Sequence, residues 1–176
     1  MPFAYFSRLS RARQRVYLRS AAVTAVPLPD AAALAPLAAA TERALAAGER
    51  QGVEEASQAL ADGLCRQLAV PAVAVSVLAA RPSHSWGELH GLYEPEPPPA
   101  RITLWMRTAE RRQVVAPRTF LRTLFHELLH HLDYEWLKLP ETFHTEGFFQ
   151  RESDLARQLL PPSASLRARR PSEPTR

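Results

Sequence analysis

Two of the six histidines in this 176-residue chain bracket the run His126-Glu127-Leu128-Leu129-His130. The run lies in a segment whose apolar spacing predicts a helix. On a helix, positions i and i+4 share one face, one turn apart. Two imidazoles so placed can meet a single Zn²⁺ at about 2.0–2.1 Å. Glu127 lies about 100° further around, where it reaches a water at the metal rather than the metal. A water whose pKa the metal lowers toward ~7 becomes a nucleophile once a carboxylate takes its proton. Phe125, Leu128, Leu129 and Leu132 give this stretch apolar surroundings, which strengthen a metal site.

A catalytic zinc wants three protein ligands and one open position. His84, His90, His131 and His144 remain. His131 points away from the 126/130 face and suits helix packing or support of a ligand. His84 in a turn and His90 on a strand read as plain polar residues. His144 stands 14 positions after His130, beyond a short loop and at the start of the next helix. That loop lets the chain reverse and return to the first helix, so His144 is the preferred third ligand. Glu152, inside the last helix, is its rival. Asp133 shares the His126/His130 face and could accept an imidazole N–H, or be a solvated or capping residue. Tyr93 and Tyr134 are alternative oxyanion stabilisers.

The elements that must position these groups follow from periodicity. Residues 5–22 show helical spacing with Arg on the outer faces. Asp30 can cap a second helix through 47, and Val53 to Leu68 carries Leu60, Leu64 and Leu68 at helical intervals. Beyond Pro71, Val73, Val75 and Val77 alternate as a strand. Arg81-Pro82-Ser83 is a turn, Trp86 to Tyr93 a second strand, and Arg101 to Thr108 a third, after a Pro-rich loop. The three are expected to form a small antiparallel meander. Pro117 opens the motif helix, which should run to about Lys138. Thr145 can cap a last helix from Glu146 to Leu160.

Composition narrows the class. Cys65, the single cysteine, excludes a disulfide framework or a Cys-based zinc ribbon and suits a buried position in a reducing compartment. No apolar run reaches the ~18–20 residues of a membrane span. Arg8, Arg11, Arg13, Arg15 and Arg19 interrupt any signal-peptide core. The chain is therefore expected to be cytoplasmic. Its net charge of +4 is uneven. Both ends are basic and the body is mildly acidic, so the termini offer a weak nucleic-acid contact.

The stretch Thr123-Leu-Phe-His126-Glu127-Leu-Leu-His130, followed by His144-Thr-Glu-Gly-Phe148, resembles the SprT-like zinc metallopeptidases. In that family the third ligand sits in an H-G-P-x-F-type segment at a helix start. The His and Phe are kept here and the Gly-Pro is not. The resemblance covers residues 71–160 and implies a β-edge strand, taken as Arg101–Thr108, that lays the substrate beside the active-site helix. A weaker resemblance to ImmA/IrrE-type zincins rests on Glu152 ahead of Leu159-Leu160-Pro161, without the E-x-x-x-D pattern of glutamate-ligand zincins. The expected fold is α+β: a zincin-like small antiparallel sheet packed on the active-site helix, with a helical extension over 1–70, a metallopeptidase domain over 71–161 and a disordered basic tail over 162–176. The expected activity is zinc-dependent peptide-bond hydrolysis of a peptide or protein substrate, with His126, His130 and His144 on Zn²⁺ and Glu127 as the base. The alternative is a non-hydrolytic, zinc-stabilised regulatory or nucleic-acid-binding module.

Overall fold

The computed structural model describes residues 2–80, 83–84, 87–88 and 90–162, with residues 83, 84, 87 and 88 described by backbone alone. The expected turn at Arg81-Pro82, Trp86, the side chain of His84 and the tail from Ser163 lie outside the described residues. Five helices and a three-stranded sheet make a mixed α+β fold. In chain order they are α1 (Arg11–Ala22), α2 (Ala31–Ala47), α3 (Arg50–Gln67), β1 (Ala74–Leu78), the two-residue strands β2 (Ser83–His84) and β3 (Gly87–Glu88), β4 (Gly91–Glu94), β5 (Arg101–Trp105), α4 (Pro117–Glu135) and α5 (Glu146–Leu159).

Local chemistry sets the helix ends. Ser10 is extended, and its hydroxyl accepts from the Arg13 N–H. The amphipathic stretch expected over 5–22 is therefore split into a short 3₁₀ turn (Phe6–Arg8) and α1. Asp30 caps α2 by accepting from Ala33 N–H, and Thr145 caps α5 by accepting from Phe148 N–H. Pro117 opens α4 where its missing N–H is not needed. The helix stops at Glu135, short of Lys138: the Leu137 N–H reaches back five positions to the Leu132 carbonyl, and Lys138 takes a positive φ of 52°.

The sheet is mixed, not the expected antiparallel meander. Its order is β1-β5-β4, with β1 parallel and β4 antiparallel to β5. The Pro-rich loop folds β5 back against β4, and β5 then inserts between β4 and β1. Burial drives that insertion. Val75 and Val77 pair in register with Ile102 and Leu104, giving one dry face. Arg101–Trp105 is thus the central strand, which corrects its assignment as the edge that would carry substrate. The expected second strand contributes β3 and β4 as separate pieces.

The two outer edges of this sheet differ. Along β1, side chains of α3 take the backbone groups. Gln58 accepts from Val75 N–H and donates to the Val73 carbonyl, at 2.7 and 3.0 Å. Glu54 accepts from Val77 N–H at 2.7 Å. This blunts one edge. On β4, the backbone groups facing away from β5 have no backbone partner among the described residues.

Residues on both sides of position 70 share one apolar cluster. Leu34, Leu45, Leu60 and Leu64 join Val77, Leu104, Phe120, Leu128 and Phe148 in it. Cys65 is buried in the same cluster, and that burial pushes its thiol up to about 11. No helix among the described residues is long and apolar enough to cross a membrane. Leu104→Ala on the central strand should lower unfolding stability by about 2–5 kcal/mol. The half-exposed Leu78→Ala should stay within about 0.5 kcal/mol. Denaturant titration of the two variants checks the assignment of the dry face.

Candidate metal centre

α4 carries His126 and His130 on successive turns, and the chain then reverses through residues 136–143. His144 arrives just ahead of α5. Its Nε2 lies 2.9 Å from His126 Nε2 and 3.2 Å from His130 Nε2. One ligand atom from each of the three residues falls within 4.8 Å of the others. Tetrahedral ligands on a zinc-sized ion stand about 3.3 Å apart, so the spacing suits one metal.

The other ring nitrogens of His126 and His130 fix which nitrogen each turns toward the cluster. His126 Nδ1 stands 3.2 Å from Glu152 Oε2. A carboxylate accepts, so this nitrogen carries its hydrogen and Nε2 keeps a bare lone pair. His130 Nδ1 stands 2.9 Å from Thr142 Oγ1, and that hydroxyl donates to Asp133 Oδ2 at 2.7 Å. With its one hydrogen committed to Asp133, Thr142 accepts from His130 Nδ1–H, and His130 Nε2 is also bare. Two bare lone pairs this close to the His144 nitrogen repel unless a cation, or a hydrogen on His144 Nε2, lies among them. Burial holds the His130 imidazole far below its ordinary range, down to about 3, with His126 and His144 acting in the same direction. A neutral imidazole is the form that ligates.

Glu127 is only 6% exposed. Burial raises its carboxyl to about 7, with His126 opposing the shift. It lies beneath β4 because Gly91 has no side chain. A Cβ there would fall 2.5 Å from Glu127 Oε1 and 2.8 Å from Thr123 Cγ2. The three histidines, Glu127 and β4 line a single cleft of about 830 Å³, whose remaining walls include Thr119, Arg122, Thr123 and Tyr134.

The expected supporting residues take distinct places. Glu152 is not among the converging ligands. It holds His126 from behind and accepts from Arg122 Nε at 3.0 Å. Asp133 does not touch an imidazole; it acts on His130 through Thr142 and is paired with Arg151 at 2.6 Å. His131 packs away from the cluster, donating from Nε2 to the Pro71 carbonyl at 2.8 Å. Its Nδ1 is then the acceptor for the Tyr93 hydroxyl, 3.1 Å away. His90 is exposed at the cleft wall. Sequence reasoning missed Thr142, Arg122 and Gly91. No motif marks them, and only the i−4 spacing of Arg122 from His126 hinted that it shares the ligand face.

Searched against protein-family models, curated proteins and solved structures, the chain matches none. What is shown is the site itself: a three-histidine cluster compatible with a metal ion, on a mixed α+β scaffold.

His144→Ala should lose stoichiometric metal. Glu152→Ala should keep the ligand set and bind metal about 10–100-fold more weakly. Elemental analysis after gel filtration separates the two, and metal lost only from the Glu152 variant would make the glutamate the ligand. Thr142→Val should also weaken binding about tenfold or more, because His130 is then free to place a hydrogen on Nε2.

Proposed function

We propose that this chain is a zinc-dependent peptidase of the SprT-like kind. The observation that carries the reading is the meeting of three imidazole nitrogens, a buried glutamate and a strand, β4, whose outer edge has no backbone partner among the described residues, in one cleft. His126, His130 and His144 would hold Zn²⁺ through Nε2. A zinc ion bound there supplies a Lewis acid that polarises a carbonyl and lowers the pKa of water toward ~7.

The remaining chemistry belongs to the chain. β4, not β5, offers main-chain groups to an extended peptide, which would add to the sheet as a further strand. Glu127, under that strand, takes a proton from the attacking water and returns it to the leaving amine nitrogen. A carboxyl raised by burial suits both transfers, since it is neither too weak a base nor too weak an acid near neutrality. Tyr134 is the stronger oxyanion donor of the two tyrosines. The Tyr93 proton is committed to His131 Nδ1, whereas the Tyr134 hydroxyl lines the cleft with no hydrogen bond among the described residues. The lone buried Cys65 suits a reducing, cytoplasmic setting.

Glu127→Gln should retain the metal and lose about 10²–10⁴ in the rate of cleaving an unstructured protein such as casein. Gln is nearly isosteric, so the fold and the imidazoles are undisturbed. Zinc content and proteolysis are measured on the same preparations. A Gln variant cleaving at the wild-type rate removes Glu127 from the mechanism. A wild type with stoichiometric zinc and no cleavage, with or without DNA, favours the non-hydrolytic module.

A further inference from the structure

His126 and His130 owe their relative placement to one helix. His144 does not. It lies outside any helix, its residue is exposed, and Phe148 and Phe149 of α5 flank its ring at 5.1 and 5.9 Å. The backbone that carries this ring is held from the other end of the chain. The Tyr5 hydroxyl donates to the His144 carbonyl at 3.0 Å. On either side of it, the contacts with the N-terminal segment are continuous. The Phe143 ring lies 6.1 Å from the Tyr17 ring and beneath the Arg13 guanidinium. Thr145 Oγ1 meets Ser20 Oγ at 3.2 Å in a buried position. The Tyr17 hydroxyl donates to Glu146 Oε2 at 2.8 Å and accepts from Phe3 N–H at 3.0 Å. Gly147 packs so closely on the end of α1 that a Cβ would fall 2.5–2.7 Å from the carbonyl oxygens of Ala21, Ser20 and Val23.

Every residue from 143 to 147 thus touches the segment 3–23. The grip extends outward through Arg13 on Glu141 at 2.7 Å, Arg19 on the Leu137 carbonyl at 3.1 Å, and Arg151 on the Ser20 and Val23 carbonyls at 2.8 and 2.6 Å. We propose that residues 3–23 are a clamp that sets the third metal ligand in place, with Tyr5 as the positioning residue for His144. The proposal rests on reading the three histidines as metal ligands. It gives the basic N-terminal segment a task that its composition does not suggest. Metal occupancy and docking of this segment must also favour each other equally, since coupling between two equilibria is reciprocal.

The test uses the full chain, stripped of metal by a chelator and titrated with Co²⁺, then with Zn²⁺ in competition. Tyr5→Phe removes one hydroxyl and keeps the ring. It should weaken metal binding about tenfold and alter the visible Co²⁺ spectrum, while the metal-free protein melts within a few degrees of wild type. Gly147→Ala, which pushes α5 off α1 with all ligands intact, should weaken binding further. If that variant does not fold, Tyr5→Phe alone decides. A Tyr5→Phe protein with wild-type affinity and spectrum overturns the clamp and leaves the metal reading intact. A wild type that takes up neither Co²⁺ nor Zn²⁺ overturns both.

Discussion

Arg151 has no exposed surface. A guanidinium in that position must find partners inside, because an uncompensated buried charge costs several kcal/mol. It finds Asp133 on α4, the Ser20 hydroxyl, and the Ser20 and Val23 carbonyls at the end of α1. One side chain of α5 therefore ties three helices at fixed distances. Burial pulls the Arg151 guanidinium below its ordinary range and pushes the Asp133 carboxyl above its own, while each partner opposes the shift of the other. The carbonyls of α1 suit this charge, since a helix C-terminus carries partial negative charge. The pair also reaches the site, through Asp133 to Thr142 to His130. The interior constraint and the ligand geometry are one connected network.

A second chain of the same kind runs from Arg122 through Glu152 to His126. Two carboxylates, each paired with an arginine, thereby set the tautomers of two neighbouring imidazoles. The cluster is left with bare nitrogens facing inward. Glu127 differs from both carboxylates. It has no arginine partner among the described residues, it is covered by β4, and its carboxyl is raised where that of Glu152 is lowered. In one cleft, then, Glu152 is held below the ordinary carboxylate range and serves as an acceptor, while Glu127 titrates near neutrality and can move a proton. Environments that push like groups apart are the usual way one site obtains different acid–base roles.

The sheet is asymmetric in a way that serves the cleft. α3 covers the backbone of β1, and α4 lies against β4 and β5. The edge without a backbone partner among the described residues is that of β4, which covers Glu127, and Gly91 makes that approach possible. A larger residue at 91 would lift the strand from the helix and open the space that now buries the glutamate.

The sequence was enough to place His126, Glu127 and His130, because helical spacing is a local property and i, i+4 geometry needs no partner element. It was also enough to choose His144 over Glu152 as the residue that joins them, from the loop and the cap at Thr145. It was not enough for the sheet. Val73–Val77 and Arg101–Thr108 read as strands, but alternation does not say which strand pairs with which, and the central position of β5 emerged only from the matching of two dry faces. Asp133 was visible as a polar residue on the ligand face, yet its action through a threonine nine positions away was not. The same holds for Tyr5 with His144 and for Arg151 with Ser20 and Val23, pairs more than a hundred positions apart in the chain. Contacts at that separation are decided by how helices dock, and docking minimises exposed apolar area and unpaired buried charge over the whole molecule rather than within any window of sequence.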